Sequence, residues 1–142
     1  MDYGAVTDAG KRRARNEDSL LAFPEERLFA VADGVGGRNA GHAASSLALR
    51  AIKRFFENTG RNKEGTWPFV PVQVDDLRAA RLITAIKLAH LHLVEEMTED
   101  PVKAGMGTTV AAVFFAGSRA YVAHAGDSRC YRVRDGQLDL LT

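Results

Sequence analysis

Two long stretches of helical apolar periodicity follow one another in the middle of this chain, and runs with strand character lie on both sides of them. In the first, apolar residues recur at Ala44, Leu47, Ala48, Ala51, Ile52, Phe55 and Phe56, with Gly60 as the expected stop. In the second they recur at Ala79, Leu82, Ile83, Ile86, Ala89, Leu93 and Met97, with Arg78, Arg81, Glu95, Glu96 and Glu99 largely off the stripe. Asp75 or Asp76 can cap this second helix, and Pro101 and Gly105 close it. Residues 3–7, 19–23 and 28–32 read as strands, the last two forming a hairpin about Pro24-Glu25-Glu26. A second set at 109–115, 120–125, 130–133 and 138–141 reads as a meander, with Asp135-Gly136 as a hairpin turn. Strands, two helices and strands again predict an α+β layered domain, because the apolar stripe of a helix pair must be buried against a sheet. Between the helices, residues 58–74 lose all periodicity and read as a loop insertion, with Trp67 and Phe69 expected to pin it to the body. His90 and His92 stand two apart on a helix, so they project to different sides and cannot share a metal.

A length of 142 residues with 46% apolar composition permits a real core without disulfides, which excludes a disordered chain. The formal charge of +1 lacks the broad cationic excess of a nucleic-acid or anionic-membrane binder. Cys130 stands alone, so an internal disulfide is excluded, and it reads as a half-buried strand residue in a reducing compartment. The amino terminus has no cationic start followed by an apolar run, and no stretch approaches the ~18 apolar residues of a membrane span. The expectation is a cytoplasmic protein without membrane contact. The last strand ends next to Thr142, leaving a sheet edge uncovered and open to self-association.

Folding the hairpin about Glu25 or Glu26 brings Asp18 and Asp33 opposite each other or nearly so. Cross-strand neighbours have Cβ atoms ~4.5–5.5 Å apart, where like charges repel unless a cation intervenes. Gly34, next to Asp33, leaves its carbonyl open to a ligand, and carboxylate, carbonyl and water oxygens are what Mg²⁺ or Mn²⁺ prefers. On spacing alone, a polar strand-to-loop turn at Asp33 and a solvated strand start at Asp18 account for the pattern equally well. Arg13 lies in the run Lys11-Arg12-Arg13-Ala14-Arg15, which reads either as a solvated loop or as a phosphate clamp, since a guanidinium holds two phosphate oxygens at once. Gly126-Asp127-Ser128 places a third aspartate at a strand end, where an ordinary turn is an equal reading. The glycine-rich run 34–41 fails as a P-loop, because His42-Ala43 follows Gly41 where Lys and Ser or Thr are needed. It fails as a dinucleotide loop because Asn39 replaces the third glycine.

In combination, these residues resemble the metal-dependent Ser/Thr protein phosphatases of type 2C in their bacterial style. The matching pieces are Thr7-Asp8-x-Gly10-x-x-Arg13-x-x-Asn16-Glu17-Asp18, Leu28-Phe29-Ala30-Val31-Ala32-Asp33-Gly34-Val35-Gly36-Gly37, Gly105-Met106-Gly107-Thr108-Thr109, and Ala123-His124-Ala125-Gly126-Asp127-Ser128-Arg129. The resemblance implies an antiparallel β-sandwich flanked by antiparallel helices, in four layers, with residues 1–142 forming the amino-terminal portion of one catalytic domain and the carboxy-terminal part missing. It implies hydrolysis of phosphoserine and phosphothreonine in proteins by a water activated by two Mg²⁺ or Mn²⁺ ions, with a third, weaker metal position, in opposition to a Ser/Thr kinase. Arg13 would bind the substrate phosphate, Asp18, Asp33 and the Gly34 carbonyl would ligate metal, Asp127 would serve the weaker position, and Glu17 would act through bound water. Val35 and Arg38 occupy places where relatives carry histidine, so no general acid is assigned. The family's later Asp-Gly and Asp-Asn motifs fall after Thr142, which leaves a second expectation from another class: a non-catalytic module that binds a phosphoprotein or partner without turnover.

Overall fold

The computed structural model describes residues 1–37, 40–61, 67 and 76–142. The elements run β1 (Asp18–Phe23), β2 (Leu28–Val35), α1 (Ala40–Arg61), α2 (Leu77–Glu99), β3 (Gly107–Thr108), β4 (Val110–Ala116), β5 (Arg119–Ala125), β6 (Tyr131–Arg134) and β7 (Gln137–Leu140). Strands β1-β2-β4-β5 form the path of one antiparallel sheet, and β3 pairs with the end of β2. The α+β reading holds, with both helices on one face of this sheet.

Alternation along the strands explains which face the helices cover. Leu28, Ala30 and Ala32 of β2 and Val110, Ala112 and Phe114 of β4 are buried with Ala44, Ala48, Ile52 and Phe56 of α1 and Leu82, Ala85, Ala89 and Leu93 of α2. Their neighbours Val31 and Val35 point the other way and are exposed, as a period of two requires. On α2 the buried face centres on Ala85 rather than Ile83, and Ala80 is buried in place of Ala79. The predicted stripe was therefore rotated slightly, since Ala79 and Ala80 are indistinguishable by hydropathy.

Helix α1 ends at Arg61, one residue past the stop expected at Gly60. A Cβ at Gly60 would lie 2.0 Å from Glu26 Oε1, so the glycine also serves a close approach. Glu26 sits on the 3₁₀ turn Pro24–Glu26 and accepts from Arg81 Nη2 at 2.9 Å. Arg81 also donates to the Phe56 carbonyl at 2.7 Å and to Thr59 Oγ1 at 2.8 Å, and its guanidinium lies 4.1 Å from the Phe56 ring centroid. A side chain read as lying off the apolar stripe thus ties the β1–β2 turn to the end of α1. Arg81→Met should lower the unfolding free energy by about 2 kcal/mol, because it strands a half-buried carboxylate and a carbonyl, as denaturant titration would read.

Asp76 caps α2, accepting from Arg78 N at 2.9 Å, and its other oxygen accepts from the Tyr121 hydroxyl at 2.6 Å. The Tyr121 bond first, then the Arg78 amide, hold its pKa below the ordinary 3.8. The contribution is therefore complete above pH 3.8 and lost as pH falls through the lower folded-state value. Tyr121→Phe should shift the acid-unfolding midpoint upward, as circular dichroism against pH would record.

Three further expectations are corrected. Residues 3–7 form no strand; among the described residues no neighbour offers a ladder, and Tyr3 instead packs on Phe29 with ring centroids 5.3 Å apart. The carboxy-terminal meander is split, because among the described residues β6 and β7 pair only with each other, through the Asp135-Gly136 turn, both residues having positive φ (51° and 76°). Their two-residue turn closes the hairpin without reference to β5. Cys130 is half-buried as expected but precedes β6, its carbonyl accepting from Leu141 N at 2.9 Å. Trp67 packs edge-on against Phe55 at 5.8 Å, whereas Phe69 and most of 58–74 lie outside the described residues, the first four of that stretch belonging to α1.

Candidate functional site

The β1–β2 register pairs Asp18 directly with Asp33. It is set by the Pro24–Glu26 turn, which Arg27 closes in the left-handed region at φ 53°. Both carboxylates belong to the strand positions that face away from the helices. Burial, then a side-chain hydrogen bond and the charge of Asp33, raise the Asp18 pKa above its ordinary value; Arg13 opposes this and Glu17 adds to it. Asp18 Oδ1 is buried with no hydrogen-bond partner. A buried carboxylate oxygen left unpaired beside a second carboxylate is costly for the bare protein and is relieved by a cation.

The strand end carrying Asp33 is held from across the chain. Asp33 N donates to Thr109 Oγ1 at 3.0 Å, and its carbonyl accepts from Thr109 N at 2.9 Å and Thr108 Oγ1 at 3.0 Å. Thr109 Oγ1 in turn bonds Ser128 Oγ at 2.6 Å. Thr108, Thr109 and Ser128 were legible as motif members, but their supporting part was not, because nothing local to Asp33 encodes it. On the other side, Asp18 N donates to Asn16 Oδ1 at 3.0 Å, and Asn16 Nδ2 to Thr7 Oγ1 at 2.7 Å, which fixes the loop carrying Arg13. Arg13 Nη1 stands 4.0 Å from Asp33 Oδ1, with both side chains more than half exposed (62% and 51%) and open to a further anion.

Gly34 is buried where the strand meets α1. A Cβ there would fall 1.9 Å from the Gly41 carbonyl oxygen and 2.8 Å from the Glu17 carbonyl oxygen, while Gly34 N donates to the latter at 3.2 Å. Its lack of a side chain is therefore required by the approach of the helix, a reason beyond the access to its carbonyl inferred from sequence. A Cβ on Gly41 would in turn meet Glu17 Oε2 at 2.8 Å, so the Glu17 carboxylate lies over the first turn of α1, where the helix dipole favours negative charge.

The fold thus gathers Arg13, Glu17, Asp18, Asp33 and Gly34. Asp127 is exposed after β5, next to the Ser128 that bonds Thr109 beneath Asp33, and among the described residues no group of three or more His, Cys, Asp or Glu side chains is arranged to hold a metal. Val35 is 65% exposed at the end of β2, and Arg38 lies outside the described residues. Two facing carboxylates, one with an orphaned buried oxygen, fit one hard divalent cation completed by the Gly34 carbonyl and water. No helix among the described residues is long and apolar enough to cross a membrane.

This arrangement has known counterparts. The chain is 37% identical over 142 residues to the serine/threonine protein phosphatase PstP of Mycobacterium tuberculosis, covering all of this chain and 24% of that protein. It is 32% identical over 139 residues to the serine/threonine phosphatase stp of Listeria welshimeri, covering 96% of this chain and 51% of the relative. The crystal structure of the PstP catalytic domain in complex with two manganese ions superposes with a TM-score of 0.76 at 37% identity, over 95% of this chain and 52% of that one. The PppA structure from Pseudomonas aeruginosa matches at a TM-score of 0.69 and 30% identity. The chain therefore spans a quarter to about half the length of the relatives it matches. Residues 8–142 fit the family model described as Protein phosphatase 2C, and the chain belongs to the protein phosphatase 2C family.

Proposed function

We propose that these residues form the amino-terminal part of a type 2C catalytic domain that hydrolyses phosphoserine and phosphothreonine in proteins with Mg²⁺ or Mn²⁺. The observation that carries this reading is the direct pairing of Asp18 with Asp33, with the buried Asp18 oxygen unpartnered. Asp18, Asp33 and the Gly34 carbonyl would hold the metal, and Asp127 would serve a weaker position. When bound, divalent ions lower the pKa of water and neutralise charge on the phosphoryl group. The chain's own part is to orient. Arg13 binds two phosphoryl oxygens, its reach limited by the Asn16-fixed loop, while Thr109 and Ser128 hold the backbone of Asp33. Glu17 adds negative charge beside the pair and acts through water. By the same reading the protein works in the cytoplasm against a Ser/Thr kinase, and the exposed Val133, Leu138 and Leu140 of the β6–β7 hairpin promote self-association.

A second reading has its own support. Because no group of three or more His, Cys, Asp or Glu side chains that could hold a metal occurs among the described residues, the chain would bind phosphoprotein without turnover. Initial rates on p-nitrophenyl phosphate with and without MnCl₂ separate the two. Manganese-dependent turnover carries the first reading, with Arg13→Ala raising KM about tenfold through loss of a charge-assisted phosphate contact. Manganese binding by calorimetry without turnover carries the second, and absence of both removes the metal assignment.

A further inference from the structure

We propose that the outer edge of β1 is a strand-docking site for an extended segment of the phosphorylated substrate, with acidic residues just before the phosphorylated one meeting Arg50 and Lys53. The inference rests on reading the Asp18 end of β1 as the phosphate-handling end. Among the described residues β1 is the terminal strand of the sheet, paired only with β2. Alternate residues of such a strand present unpaired N–H and C=O groups, which an extended peptide can adopt as its own ladder.

Two grooves border this edge in succession. The first, of about 220 Å³, lies between Ser19–Leu21 of β1 and Ser46, Arg50 and Lys53 of α1. The second, of about 590 Å³, continues past Ala22, Phe23 and Pro24 and is lined by Glu25, Glu57 and Lys53. Charge therefore changes sign along the edge. Arg50, anchored by its bond to Ser46 Oγ at 2.6 Å, and Lys53 make the stretch nearest Asp18 basic. Beyond it Glu25 makes the far stretch acidic; Glu26 does not add to this because Arg81 neutralises it, and Glu57 pairs with Lys53 at 3.6 Å where the two stretches meet.

Antiparallel pairing continues the pattern of the sheet and is the slightly stronger mode. A peptide antiparallel to β1 reaches Asp18 last, so the residues preceding its phosphorylated one lie along the edge. Matching positions one for one, the first to third residues before the phosphorylated one run beside the basic groove and the fourth to sixth beside the acidic groove, with alternate side chains turned toward α1. The favoured substrate is thus basic, then acidic, then phosphorylated.

Peptides with phosphothreonine preceded by three glutamates and then three lysines should bind at least about tenfold better than peptides with those triplets exchanged, read as KM, or as Kd by fluorescence anisotropy where turnover is absent. The double variant Arg50→Glu/Lys53→Glu should cancel or reverse that preference while leaving p-nitrophenyl phosphate hydrolysis unchanged. N-methylating the peptide backbone one residue at a time should weaken binding at every second position only. Equal binding of the two peptides, a preference lying after the phosphorylated residue, or N-methyl effects without alternation would overturn the edge. If p-nitrophenyl phosphate is still hydrolysed in those cases, the phosphatase reading stands without it. Alternating N-methyl effects with no manganese-dependent turnover and no gain from the phosphate would remove the phosphatase reading and leave the edge.

Discussion

Asp33→Asn is expected to abolish manganese-dependent hydrolysis, by at least about a hundredfold, and at the same time to stabilise the metal-free chain. Disturbing groups that merely orient metal ligands already costs ~10–100-fold in affinity or activity, so removing a ligand costs at least as much. The stability change has the opposite sign because Asp18 and Asp33 face each other on adjacent strands, where like charges oppose pairing. The Asp18 pKa is raised, so its ionisation disfavours the fold: the contribution of Asp18 to the bare chain is most favourable below the ordinary value of 3.8 and is lost as pH rises through the folded-state value. Removing the Asp33 charge lessens that decline. Thermal scans at neutral pH should place the metal-free variant up to about 3 °C above the parent, and MnCl₂ should raise the midpoint of the parent alone. A variant that keeps its manganese-induced shift would show that the pair does not hold the ion.

Gly34→Ala should be the most disruptive glycine-to-alanine change among the described residues, costing about 3 kcal/mol or more. The added carbon would stand 1.9 Å from a backbone carbonyl oxygen of α1 and 2.8 Å from one before β1. Neither can swing away as a side chain could, so the helix start must part from the strand, and the Gly34 to Glu17 hydrogen bond would go with it. Chemical denaturation should show a large loss of midpoint, and Gly37→Ala, whose Cβ would meet nothing within 4 Å, gives the matched control. Equal effects at the two positions would show that the strand and helix have room to adjust.

The residues differ in how far they disclosed these roles. The Asp18–Asp33 pairing could be read in advance because a short turn counts out the register of a hairpin residue by residue. The order of strands and helices was equally open to reading, since it depends on periodicity. What sequence could not reveal lies in contacts made across long separations: the Thr109 hydroxyl under Asp33, Arg81 reaching both Glu26 and Phe56, and Gly60 yielding to Glu26. The phase of α2 slipped for a different reason, because neighbouring alanines carry equal hydropathy and only packing chooses between them. Residues 3–7 have the composition of a strand but no ladder partner among the described residues, and pairing is not written in one strand alone.

The pairing of β2 with β4 bears on the order of assembly. Leu28 meets Phe114 in the sheet, so the whole helical pair lies inside the loop that this contact closes. The β1–β2 hairpin needs only the four-residue connection Pro24 to Arg27 and can form within microseconds, bringing two aspartates together before any core exists to favour them. Loop closure over the helices is entropically dearer and comes after they dock. Only then does Thr109 arrive beneath Asp33. The carboxylate pair is thus among the first contacts that chain connectivity allows and among the last to become rigid, so a divalent ion present during folding would select the hairpin early and act on its rate as well as on its final stability.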